Sequence, residues 1–257
     1  MTEEKKEVVE DVKSNTKEEV SGEVVTDQGE KSVELSLQAM LKAGVHFGQK
    51  KSRWNPKMKE YIFGVRNGVH IIDLEKSLKL FEEALKQIDE IAKKGGSILI
   101  VGTKNQAKRL VQKTAEEMGM PYVNNRWLGG TFTNFGFIKN RIKFLVNNKE
   151  ALEQGRLKDS TKLERNKLQK KLARIEERMG GLVKMTRLPD AVLVLDINKD
   201  IDAVKEARKS GVKIIGLLDT NSDPDLVDFP IPANDDAVSS LKYVLDVVAD
   251  RFSKAKG

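Results

Sequence analysis

Between Lys42 and Arg66 the chain sets seven cations (Lys42, Lys50, Lys51, Arg53, Lys57, Lys59, Arg66) against one acid, Glu60. Phe47, Trp54, Tyr61 and Phe63 are interleaved with them. Cations neutralise phosphates and flat rings accept unstacked bases, so this stretch offers both halves of RNA-binding chemistry. The competing reading is that Trp54 and the tyrosine cover a sheet edge while the lysines are solvated. A second constellation is Arg126, Trp127, Leu128, Gly129, Gly130 and Thr131. Paired glycines allow close backbone approach to a ligand, and a following helix N-terminus favours an anion. A tight strand-to-helix turn with a packed tryptophan would use the same residues.

Other chemistries find little support. Gly102, Thr103 and Lys104 follow a strand and resemble the end of a phosphate loop, but the required pair of glycines is missing and the residues before Gly102 are the strand itself. No G-x-G-x-x-G follows a strand, which argues against a dinucleotide site. The chain has no cysteine and only two histidines, His46 and His70. Disulfides, thiolate zinc sites and cysteine nucleophiles are thereby excluded. His70 reads as a structural strand residue, while His46 could stack on a base or bond a backbone group. The segment Asp219, Thr220, Asn221, Ser222, Asp223, Pro224, Asp225 could hold Mg²⁺ at a strand's C-terminal end. Its composition is that of a turn, which is the favoured reading.

Elements that could position these groups follow from hydrophobic spacing. Leu37, Met40 and Leu41 mark a short helix ended by Gly44. Strands are expected at 61–63 and 69–72, joined by the Asn67-Gly68 hairpin signal. Beyond them strands and helices alternate: a helix over 78–91, a strand at 98–101, a helix over 104–118 ended by Gly119, and a short strand at 122–123. The pattern resumes with strands at 191–195 and 214–218 and helices over 199–210 and 235–253, the last capped by Asn234. Continuous apolar strands separated by helices indicate a parallel sheet covered on both faces, an α/β fold. Residues 132–187 break the rhythm with two helical runs, Ile138, Ile142, Leu145, Leu152 and Leu168, Leu172, Ile175, Met179, with Gly155 between them. They read as an inserted helical hairpin.

Charge follows this division. Ten acids and five bases leave −5 on residues 1–32, so of the chain's +7, residues 33–257 carry +12. Residues 139–187 hold fifteen bases and six acids, a net +9. A basic body attracts polyanions by releasing their counterions. The polar, acidic segment 1–32 is expected to be a disordered tail. The folded parts are then an α/β domain over 33–131 and 188–257 and the hairpin of 132–187. No stretch approaches a membrane span, and the N-terminus lacks a secretory pattern, so a cytoplasmic protein is expected.

Several long blocks carry a family resemblance: AGVHFGQKKSRWNPKMKEYIFGVRNGVHIIDL, VGTKNQA, GMPYVNNRWLGGTFTNF, LPDAVLVLD, AVKEARKSGV and DTNSDPDLVDFPIPANDDA. In this order, over about 36–250, the chain resembles the bacterial small-subunit ribosomal protein S-two family. The resemblance implies a flavodoxin-like parallel sheet with an inserted α-helical coiled-coil hairpin. It also implies a late-assembling, non-enzymatic protein between head and body of the small subunit, contacting ribosomal RNA and helping to dock the large ribosomal protein S-one. The RNA-contacting set is expected to be His46, Lys50, Lys51, Arg53, Trp54, Lys57, Arg66, Lys104, Arg126, Trp127, Lys139 and Arg141. No cofactor, metal or small-molecule substrate is expected. Gln49, Ser222 and Ile197 depart from the family's frequent histidine, cysteine and proline. An α/β enzyme acting on a sugar phosphate near Gly102, Asp196 and Asp219 is the alternative, but no convincing base and nucleophile are present.

Overall fold

A computed structural model describes residues 34–154 and 162–256. The expected acidic tail and the Gly155 junction lie outside the described residues. The chain opens with α1 (Leu37–Lys42), whose N-terminus is capped by the Ser36 hydroxyl accepting from the Ala39 N–H. Three short strands follow: β1 (Phe47–Lys50), β2 (Ile62–Arg66) and β3 (Val69–Ile72). They form an antiparallel ribbon in the order β1-β3-β2. Asn67 and Gly68 turn between β2 and β3 with φ of 52° and 76°, the left-handed pair that two-residue hairpins need. The hairpin is therefore as expected, whereas β1, with its polar Phe-Gly-Gln-Lys sequence, carries no strand signal of its own.

The remaining elements are α2 (Leu74–Lys93), β4 (Ile98–Val101), α3 (Lys108–Met118), β5 (Tyr122–Val123), α4 (Phe135–Glu153), α5 (Lys162–Met179), β6 (Ala191–Val194), α6 (Ile201–Ser210), β7 (Lys213–Leu218), β8 (Phe229–Pro232) and α7 (Val238–Lys256). Strands β5-β4-β6-β7-β8 make one parallel sheet. Its central strands are buried on both faces, and successive side chains alternate between two cores. Ile98, Ile100, Leu193, Ile215 and Leu217 join Phe81, Ile88, Val111, Leu241 and Val244 from α2, α3 and α7. Leu99, Val101, Val192, Val194 and Ile214 join Ala203 and Ala207 of α6 on the other side.

That second core also takes in Ile138, Ile142 and Leu145 of α4 and Leu172, Ile175 and Met179 of α5. The roots of the two basic helices are thus packed into the α/β body through the apolar positions that the sequence marks. Two boundaries differ from expectation. Residues 104–107 form a turn before α3, which frees Lys104 to point back across the strand ends. Helix α7 begins after Asn234, whose side chain instead accepts from the Asp236 and Ala237 N–H groups in the preceding turn. The edge strand β8 contains Pro230 and Pro232, and an edge is where a strand tolerates residues that lack an N–H.

Candidate nucleic-acid interface

The ribbon is seated on the C-terminal ends of β7 and β8. The Gln49 N–H donates to Thr220 Oγ1 at 2.9 Å, the Asn55 N–H to the Thr220 carbonyl at 2.8 Å, and the Asn234 N–H to the Val45 carbonyl at 3.0 Å. Gly48 allows this closeness: a Cβ there would stand 2.5 Å from Thr220 Cγ2. On this seat Lys50, Lys51, Arg53 and Arg66 are exposed. Lys57 is exposed too, but its ammonium pairs with Asp223 at 2.8 Å and Asp225 at 2.6 Å. Asp223 also accepts from the Asp225 N–H, so this acidic segment is a capped turn, as its composition indicates.

The ribbon's rings divide into structural and accessible ones. Trp54 is half-buried and packs on His70, with ring centroids 5.3 Å apart. His70 is buried, and burial followed by the charge of Lys51 holds its imidazole below the ordinary range. His46 packs on Phe47, and burial lowers its pKa as well. The open faces are Phe63, 80% exposed, and Phe47, 49% exposed. Both belong to the rings that the sequence offers for stacking, but of these the expected contact set names only Trp54, because sequence shows a ring and not which side of it is covered.

Trp127 is buried, and Lys104 is partly buried at the strand ends. The Lys104 ammonium is 2.9 Å from Asp196, 2.8 Å from Asp235 and 2.8 Å from Asp236. Gln49 donates its amide to Asp219 at 2.9 Å and Asp236 at 2.7 Å. The cation that these clustered carboxylates require comes from the chain itself. Burial opposes the Lys104 charge, but Asp235, Asp236 and Asp196 outweigh it and raise its pKa. Burial and the Asp219 charge push Asp235 up to about 8 against the pull of Lys104.

Trp127 is 7% exposed and stacks edge-on against Phe132 at 5.0 Å. Its indole N–H donates to Glu206 at 3.2 Å. Glu206 also accepts from the Gly130 N–H at 2.7 Å, the Phe132 N–H at 3.0 Å and the Thr133 N–H at 3.3 Å. The glycine turn does hold an anion, and that anion is the protein's own carboxylate. Burial alone would raise the Glu206 pKa, but the donors from Gly130, Phe132, Trp127 and Thr133 lower it. Arg126, next to this turn, is exposed. Glu206→Ala leaves several donors unpaired and is expected to destabilise the chain by ~1–3 kcal/mol. Faster amide exchange at Gly130 and Phe132 would register the loss. Unchanged protection there would mean the carboxylate does not order the turn.

A second cationic surface lies along α4 and α5. A cleft of about 570 Å³ is lined by Arg141, Lys167, Lys170, Lys171, Arg174 and Arg178, with no acidic side chain among its described lining residues. Arg141 lies over the Phe137 ring, 5.2 Å from its centroid. Lys139 is exposed, and its ammonium donates to the Thr186 carbonyl at 3.3 Å. The expected cations Lys139 and Arg141 are therefore on this arm, apart from the ribbon set. The α5 cations were visible in the sequence only as surplus charge. Among the described residues no helix is long and apolar enough to cross a membrane.

A family model described as Ribosomal protein S2 matches residues 40–255. The chain belongs to the ribosomal protein S2 family. Small ribosomal subunit protein uS2 of Francisella tularensis subsp. novicida (strain U112) is 45% identical over 221 residues, covering 86% of this chain and 92% of that protein. The same protein from F. tularensis subsp. tularensis (strain WY96-3418) matches to the same extent, as does that from subsp. holarctica (strain FTNF002-00 / FTA). A member of the ribosomal protein S2 family is a structural component and not an enzyme.

Proposed function

We propose that this chain is a structural constituent of the small ribosomal subunit that binds its ribosomal RNA through two cationic surfaces and works in the cytoplasm. The observation that carries the reading is the ribbon: four exposed cations, Lys50, Lys51, Arg53 and Arg66, on a platform hydrogen-bonded to the sheet. Phosphate contacts from such a platform fix position and register. Phe47 and Phe63 add flat faces beside them. Arg126 and the α4–α5 cations supply the second surface. In this reading Lys104 and Trp127 act from behind the surface, through Asp196, Asp235 and Asp236 and through Glu206, and Lys57 steadies the adjoining turn through Asp223 and Asp225.

Docking of neighbouring small-subunit proteins, including protein S-one, is part of the same proposal. An apolar groove of about 430 Å³ beside the ribbon, lined in part by Leu37, Leu41, Phe63 and Leu74, gives such contacts a surface. The unit division goes with it: the segment 132–187 acts as an RNA-facing arm on the α/β body, and 1–32 as a separate acidic tail. Sedimentation of the cellular protein tests the proposal. It should travel with small subunits and leave them only at high salt, because phosphate contacts weaken as counterions compete. Migration as a free protein at low salt would overturn it.

A further inference from the structure

The α4–α5 cleft has a composition that phosphate contacts alone do not require. Its floor is apolar, built from Leu128, Ile138, Ile175 and Met179. Ile138, Ile175 and Met179 are 3%, 7% and 4% exposed, so the floor is rigid core rather than loose surface. At the mouth stands Phe137, 52% exposed, with the Arg141 guanidinium over its ring. The volume, about 570 Å³, falls in the range of small-ligand sites, ~300–1,000 Å³. An A-form duplex presents phosphates and 2′-hydroxyls to a protein and keeps its bases stacked. It would use the cations and leave the apolar floor and the ring unused.

We propose that this cleft is a binding site for an unstacked nucleotide of single-stranded or looped RNA, its base against Phe137 and the apolar floor, its phosphates on the flanking cations. The site deepens the RNA-binding reading and rests on it. The cations of α5 run as a stripe: Lys167, Lys170, Lys171, Arg174 and Arg178 recur at three- and four-residue spacing, which places them along one helix face. Over about 16 Å of helix they give the strand flanking the inserted base a continuous cationic track. Arg141 ties the two halves together, since one guanidinium can pair with a phosphate while covering the ring on which the base stacks.

The experiment uses the full chain and two fluorescent probes, a short mixed-sequence single-stranded oligoribonucleotide and a duplex of the same sequence. The single strand should bind more tightly than the duplex. Phe137→Ala should weaken single-strand binding about tenfold, as loss of one stacked base does, with the salt slope unchanged, and Phe137→Tyr should restore it. Lys170→Glu with Arg174→Glu should weaken both probes and flatten the salt slope. Phe137 is half exposed, so its loss leaves the core intact, and an unchanged melting midpoint verifies this. Wild-type single-strand affinity in Phe137→Ala, or preference for the duplex, would overturn the nucleotide site while leaving RNA binding standing, provided the double charge reversal still weakens binding. If neither variant changes the binding of either probe, both the site and the RNA reading of this surface fall. An acidic peptide that binds the cleft as tightly as the oligoribonucleotide would also overturn the assignment.

Discussion

Lys104→Met is expected to destabilise the folded chain by about 3 kcal/mol, near the lower end of the cost of breaking a buried ion pair. The side chain of Lys104 is 17% exposed, and its ammonium lies within 2.9 Å of Asp196, Asp235 and Asp236. Without it those carboxylates face one another across a site that also holds Asp219. For a domain of this size the melting midpoint should fall by roughly 10 °C. Asp235→Asn in the same chain should recover part of the loss, because it replaces a buried carboxyl whose ionisation burial and the Asp219 charge already oppose. The wild type makes a related statement through pH. Asp235 has its folded pKa pushed up to about 8 from 3.8. Between those values the folded state retains a proton that the unfolded state releases, so stability declines as pH rises. The decline ends above the folded pKa. Asp235→Asn should flatten the dependence and be the more stable chain at neutral pH. A Lys104→Met midpoint equal to that of the wild type would refute the ion-pair reading.

The largest functional effect is expected at the ribbon. Reversing Lys50, Lys51 and Arg53 together to glutamate should lower affinity for small-subunit ribosomal RNA at least tenfold and reduce the salt slope by about three, one for each phosphate contact removed. All three side chains are exposed, so the melting midpoint should hold, which separates lost binding from lost folding. Occupancy in assembled small subunits, measured by mass spectrometry, should fall in parallel. Normal occupancy would sink the assignment of this face to RNA. Lys57→Glu makes the informative contrast. Its ammonium is engaged by Asp223 and Asp225, so reversal places three acids together and disturbs the turn more than it disturbs RNA contact.

These contrasts show where sequence is informative. Burial on both faces forces apolar runs, which is why strands could be read at 98–101, 191–195 and 214–218, within a residue of those observed. Their alternation between two cores is also present in the sequence, since adjacent residues must face opposite ways. The edge strands were harder. Strand β8 breaks its run with prolines, and β1 is half polar and pairs only through β3. The candidate site divides in the same manner. Positive charge is a local property and could be counted. Whether a given cation is occupied depends on partners far along the chain: Lys104 meets Asp196, Asp235 and Asp236, and Trp127 meets Glu206, 79 residues away. Nothing in the spacing near Lys104 or Trp127 announces those partners.

The seat of the ribbon has a consequence for the order of events at synthesis. Its first residues close on some of the last: Ser36 on Tyr243, Gly44 on Asn234, Gln49 on Thr220 and Asp236. A chain emerging amino-terminus first therefore displays Lys50, Lys51 and Arg53 for most of its elongation without the strand ends on which the ribbon is seated. The ribbon can take its place only after the residues up to the start of α7 have left the tunnel. Recognition that depends on the seated ribbon thus becomes available late, and a truncated product ending before Asp219 would carry the charges without their seat on the sheet.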